Sequence, residues 1–116
     1  MRKDRSELAY IWDMLEAANY AIEFAAGQSF HHFEQDDLLR SALERKIEII
    51  GEAARRISKE FQQDHPEIDW KKIIGLRHLL AHEYGEIKLE VLWTIAIRDV
   101  PELAQKLRRI LESESP

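Results

Sequence analysis

An all-α fold, an antiparallel bundle of four main helices, is what this sequence predicts, and three observations carry that reading. Apolar residues recur every three to four positions along most of the chain, which is the period of a helix with one buried face. No stretch alternates apolar and polar residues as a half-buried strand does. Helix stop signals, Gly27, Pro66 and Gly85, fall between the periodic segments.

The first helix is expected from Asp4 to about Ala26, with Leu8, Ile11, Trp12, Leu15, Ala18, Ile22 and Ala25 as its buried stripe. Asp4 with Glu7 three residues on has the form of a capping box, and Gly27 ends the helix. A connector from Gln28 to Gln35 follows, in which Phe30 and Phe33 tuck the loop onto the bundle. Adjacent histidines on such a loop, here His31 and His32, are more often solvated polar residues than ligands. Asp36 or Asp37 caps a second helix running to about Phe61, along the stripe Leu39, Leu43, Ile47, Ile50, Ala54, Ile57 and Phe61. Leu38, Ala42, Ile49 and Ala53 widen that stripe, so the helix should pack on more than one neighbour. Gly51 inside it costs about 1 kcal/mol relative to alanine. With Ala53 and Ala54 it forms a small-residue patch that suits either a crossing within the chain or a contact between subunits.

A polar loop from Gln62 to Asp69 is broken by Pro66, which disfavours helix at His65. Asp69 caps a third helix that starts at Trp70 and buries Ile73, Ile74, Leu76, Leu79 and Leu80. The fourth pattern starts near Lys88 and runs through Leu92, Trp93, Ala96, Val100, Leu103, Leu107 and Ile110. Pro101 must kink or divide it, because a proline inside a helix removes a hydrogen bond and crowds the preceding turn. Ser113 to Pro116 reads as a frayed tail.

Composition bounds the function. The 116 residues suit one domain, 1–116, able to bury about two-thirds of its unfolded surface. No apolar run reaches the length of a membrane span and the charged N-terminus is no secretory signal. Cysteine is absent, which excludes disulfides and thiolate metal sites and fits a cytoplasmic location. The net charge of −5 argues against non-specific nucleic-acid binding through a basic surface, so any such role must rest on a local cationic site.

That local site is Arg77-His78-Leu79-Leu80-Ala81-His82-Glu83-Tyr84, which gathers a cation, two imidazoles and a phenol within about two helical turns. At about 100° per residue Arg77 and His82 stand about 140° apart on a regular helix, so they share no face. Unwinding of the last turn near His82, with Gly85 as the stop, would let them converge on one anion. Arginine presents a permanently charged planar fork to two phosphate oxygens, and histidine exchanges protons near neutrality. Together they suit cleavage of RNA by its own 2′-hydroxyl, a reaction these groups can run without a metal. A competing use of the same residues is a zinc pair, His78 and His82 at a spacing of four, with Glu83 or Glu86 nearby. It lacks an evident third ligand.

Arg77-x4-His82-x-Tyr84 resembles the Arg-x4-His-x-Tyr motif of HEPN-domain proteins, specifically the HepT-like toxins of HEPN/MNT toxin-antitoxin pairs. Further segments resemble that family in the same order: Ile47-Glu48-Ile49-Ile50-Gly51-Glu52-Ala53-Ala54, Pro66-x3-Trp70, and Ile74-Gly75-Leu76-Arg77. The likeness covers essentially the whole chain. It departs at His78, where many relatives have asparagine, and at Gly85, where a larger residue is common. The resemblance implies a HEPN-type four-helix bundle, a homodimer with its motifs facing across the interface, and metal-independent endoribonuclease activity with no cofactor. It implies that His82 is the acid-base residue, Arg77 the phosphate clamp and His78 an auxiliary polar contact. It further implies RNA as substrate and a minimal nucleotidyltransferase (MNT) antitoxin that silences the toxin by attaching AMP to Tyr84. From another class, a non-catalytic HEPN module that binds the transferase or a nucleotide fits the same motif.

Overall fold

The computed structural model describes the backbone of residues 2–82 and 89–114, and the side chains of 7–76, 78–80 and 89–114. Its elements are α1 (Arg2–Ala25), α2 (Phe30–Gln35), α3 (Asp37–Arg55), α4 (Lys59–Asp64), α5 (Trp70–His82), α6 (Leu89–Thr94), a π-helical turn (Ile95–Asp99) and α7 (Val100–Glu114). There is no strand among the described residues, and the architecture is the all-α bundle the periodicity predicts. The long helices α1, α3 and α5 and the composite α6–α7 are its four main members. The helix α1 packs on α3 and α7, and α3 packs on α5. No described helix is long and apolar enough to cross a membrane.

The buried side of α1 is rotated from the expected stripe. Ile11, Met14, Ala18 and Ala21 are fully buried, whereas Trp12 is 61% exposed. A helix held between two neighbours buries the sector facing both, and Trp12, about 100° beyond Ile11, falls outside it. The N-terminus differs too. The helix begins at Arg2, so Asp4 lies inside it and does not cap it. Glu7 is 4% exposed, and its carboxylate accepts the backbone amide of Ser58 at 3.1 and 3.3 Å. At the other end Gly27 takes φ +75°, the left-handed conformation that closes a helix without a Cβ penalty.

The connector after Gly27 is itself a helix. Ser29 accepts from the His32 amide at 3.0 Å and starts α2, which is too short to show a period in sequence. Phe33 is fully buried, its ring 4.9 Å from that of Trp93, as expected for a residue that pins this segment to the bundle. Asp36 caps α3 through the Leu39 amide at 3.0 Å. Leu38, expected to widen the apolar stripe, is instead 81% exposed. Leu43, Ile47, Ile50 and Ala54 are fully buried and form the central seam.

The helix α3 ends at Arg55, short of the expected Phe61. Ser58 turns out of helical geometry (φ −66°, ψ 155°) and accepts from the Phe61 amide at 3.1 Å, starting α4. The apolar period continues through Ile57 and Phe61, so the break leaves no trace in the hydrophobic pattern. Gly51, Ala53 and Ala54 are all buried within the single chain, which assigns that small-residue patch to an intrachain crossing.

Pro101 divides the last helix as expected, through a specific device. The Val100 amide bonds to the Ile95 carbonyl, five residues back, and the ladder widens by one residue just before the proline. A π-turn at this point relieves the crowding between the proline ring and the turn behind it.

Candidate functional site

The motif-bearing helix α5 is built from a firm N-terminal anchor. Asp69 accepts the Lys72 amide at 3.1 Å, and its carbonyl accepts the Ile73 amide at 3.0 Å. The Trp70 indole, 6% exposed, donates to the His65 carbonyl at 2.9 Å. No motif in the sequence marks His65 beyond its place before Pro66. Its Nδ1 lies 3.2 Å from Glu67 and its Nε2 3.1 Å from Glu114, while its ring stacks on Phe61 at 4.6 Å. This joins the loop that launches α5 to the end of α7. Burial pushes the Glu67 carboxyl up, but its own backbone amide, His65 and Lys106 outweigh that and hold it below its ordinary value.

Trp70, Ile73, Leu76 and Leu80 face the core, while Lys71, Lys72, Gly75 and His78 are exposed. Helical phase then places the motif. Position 82 stands within about 40° of Gly75 and His78, and position 77 about 40° from Ile73. The helix runs through His82 as its last described residue, and the expected unwinding near His82, toward Gly85, falls on residues outside those described. Within one α5 the two positions therefore remain about 140° apart. The side chains of Arg77 and His82, and all of 83–88 with Tyr84, Gly85, Glu83 and Glu86, lie outside the described residues.

The remaining histidine expectations fall out differently. His31 is exposed. His32 pairs with Asp36 at 3.1 Å, and so supports the cap of α3. The Leu39 amide, against the opposing effect of burial and with help from His32, holds the Asp36 carboxyl below its ordinary value. Among the described residues no group of three or more histidine, cysteine or carboxylate side chains could hold a metal. Positions 78 and 82 stand about 40° apart on the helix, and the His82 side chain, with Glu83 and Glu86, lies outside the described residues, so the zinc reading of this pair does too.

Beside the exposed face of α5 runs a groove of about 600 Å³, closed on its other side by α6 and the π-turn. Lys72 and Arg98 stand on its rim, both against the same carboxylate: Asp99 lies 3.6 Å from Lys72 and 3.2 Å from Arg98. No motif pointed to this groove, because its walls come from segments about 20 residues apart whose exposed apolar positions look like ordinary surface.

An all-α bundle with an Arg-x4-His motif at the end of an internal helix defines a HEPN-type architecture, and comparison with known proteins narrows it. The profile of the HepT-like family, described as "Ribonuclease HepT-like", matches residues 14–110. A protein of Methanocaldococcus jannaschii named a "putative RNase" is 38% identical over 103 residues, which span 89% of this chain and 94% of that one. Another of that name from Caldanaerobacter subterraneus is 36% identical over 105 residues, 90% and 94% of the two chains. A "probable ribonuclease HepT" of Thermococcus cleftensis is 35% identical over 106 residues, 91% and 96% of the two. No solved structure matches the chain. The chain belongs to the HepT-like ribonuclease family.

Proposed function

We propose that this protein is an endoribonuclease toxin that cuts RNA without a metal, using the 2′-hydroxyl next to the scissile phosphate. The observation that carries the reading is Arg77-x4-His82-x-Tyr84, in a chain whose match to the HepT-like ribonucleases extends from residue 14 to 110. The names borne by its relatives support a ribonuclease activity.

In this reading a base removes the 2′-hydroxyl proton, and the oxygen attacks phosphorus. The bond to the 5′-oxygen breaks as that oxygen takes up a proton, leaving a 2′,3′-cyclic phosphate and a 5′-hydroxyl. His82 exchanges protons in this sequence, and Arg77 holds the phosphate and offsets charge as the phosphorus becomes crowded. His78 is an auxiliary polar contact. The phase of α5 supports a two-chain site, since one helix keeps positions 77 and 82 apart and a homodimer brings two copies of each.

Control falls to a partner, a minimal nucleotidyltransferase antitoxin. The Tyr84 phenol attacks the α-phosphate of ATP, loses its proton and releases pyrophosphate, which leaves AMP on the ring oxygen. That group puts bulk and negative charge two residues from His82, where an RNA phosphate must bind. The test is cleavage of a fluorogenic RNA in excess EDTA by wild type and by His82→Ala. Cleavage by wild type alone supports the reading.

A second reading is a non-catalytic HEPN module that binds the transferase or a nucleotide. The separation of Arg77 and His82 on a single α5 is what favours it. Binding of the transferase by a chain that cuts no RNA would select it.

A further inference from the structure

Trp12 is 61% exposed on α1, while the other tryptophans of the chain, Trp70 and Trp93, are buried. Tyr20, about two turns along the same helix, is 43% exposed. Between these two rings the outer surface of α1 forms a groove of about 410 Å³, lined by Leu15 and Ile22 with Glu16, Asn19 and Glu23 beside them. Exposed aromatic rings next to apolar side chains, rimmed by polar groups, are the kind of surface that marks an interaction site. The helix α1 carries no residue of the Arg-x4-His-x-Tyr motif, so this groove lies beyond the nuclease reading.

Charge selects the occupant. From Ser6 to Leu39 the chain contains no lysine or arginine. The exposed charges on the outer face of α1 are Asp13, Glu16 and Glu23, which fall within about 80° of one another around the helix. Among the described residues none of the three is in an ion pair. Two cations from neighbouring helices reach this face, and both stop at uncharged groups. Lys46 of α3 lies over the Tyr20 ring, 4.4 Å from its centroid, and Arg108 of α7 donates to the Asn19 side chain at 2.9 Å. We propose that the groove seats a basic amphipathic segment of another protein, with an apolar side chain against Trp12 and lysine or arginine against Glu16 and Glu23.

Other occupants fit this charge badly. A second copy meeting the face about a twofold axis would set the three carboxylates against themselves. An RNA strand or an anionic lipid surface would bring its phosphates to the same carboxylates. A cationic segment relieves that repulsion, and a guanidinium can also stack on the Trp12 indole. Single exposed ion pairs contribute little, so the affinity comes mainly from apolar burial at Trp12, and the carboxylates set orientation and the rate of encounter.

Titration of the full chain with a synthetic amphipathic peptide of leucine, lysine and arginine tests this, beside a counterpart in which glutamate replaces every cation. With Trp70 and Trp93 buried, tryptophan emission and its quenching by acrylamide follow Trp12. The basic peptide shifts the emission to the blue and protects it from acrylamide, whereas the acidic peptide does neither. By calorimetry, Glu16→Lys combined with Glu23→Lys weakens binding about 10-fold or more. Glu34→Lys combined with Asp64→Lys makes the same change of net charge at exposed positions of α2 and α4, and weakens binding less than about 3-fold. Trp12→Gln weakens binding with circular dichroism unchanged, because that side chain stands largely in solvent. Equal losses in the two double variants would assign the binding to bulk charge and overturn the inference. Failure of the basic peptide to bind, or emission that stays unmoved at saturation, overturns it as well. Protection of Trp12 by an RNA oligonucleotide, or self-association of the chain that Glu16→Lys abolishes, gives the face to another occupant and likewise overturns it.

Discussion

Glu7 and Ser58, 51 residues apart in sequence, are joined by a carboxylate that accepts the Ser58 backbone amide through both oxygens at 3.1 and 3.3 Å. Glu7 is nevertheless the one charged side chain buried among the described core residues. The contact fixes the point where α3 gives way to α4, and so sets the path of the chain toward α5.

Glu7→Ala should lower stability by about 1–3 kcal/mol, because it leaves a part-buried amide without its acceptor. Glu7→Gln, which retains one acceptor oxygen, should lose less. Urea unfolding followed by circular dichroism measures both. Equal midpoints for Glu7→Ala and wild type would show that water replaces the carboxylate at no cost.

Phe33 predicts a larger effect. It is fully buried against Trp93, so Phe33→Ala should cost about 3–5 kcal/mol and make the surroundings of Trp93 more polar. A red shift in tryptophan emission before global unfolding, together with a lowered denaturation midpoint, is the expected result. Phe33→Leu should retain most of the stability.

The cap at Asp36 gives a pH dependence whose sign follows from its carboxyl. Its value in the folded chain lies below the ordinary 3.8, chiefly through the Leu39 amide. The cap therefore stabilises fully above the unfolded value and loses its contribution as pH falls through the folded one. Thermal midpoints of wild type and Asp36→Asn, taken from about pH 6 down to about pH 2, should draw together at the acid end. A constant difference across that range would contradict this.

Tyr84 predicts a mass change. Incubation with a cognate nucleotidyltransferase and ATP should add one or more AMP units to the chain, and Tyr84→Phe should abolish the adduct. An adduct that persists in Tyr84→Phe would place the modification elsewhere.

Features of this fold that were legible in the sequence are those set by neighbours a few residues away. Asp36 and Asp69 each accept from an amide three residues on, and Gly27 closes α1 through its own backbone. Pro101 announced the break in the last helix, though not that a π-turn would absorb it. What was not legible depends on distant partners or on geometry that leaves no periodic mark. The break at Ser58 is hidden because Ile57 and Phe61 continue the apolar repeat on either side of it. Glu7 looked like half of a local capping box because its true partner is 51 residues away. At the candidate site the residue types of the motif could be read directly, and so could the 140° between positions 77 and 82. The groove at Gly75 could not, since it exists only once α5 and α6 lie side by side.

The central claim is that His82 and Arg77 serve a phosphate-cleaving site, and RNA cleavage in excess EDTA by wild type, Arg77→Ala and His82→Ala tests it most directly. The account predicts cleavage by wild type with 2′,3′-cyclic phosphate ends, and a loss of about 10²- to 10⁴-fold in each variant with helical content unchanged. Cleavage by His82→Ala at the wild-type rate would contradict it.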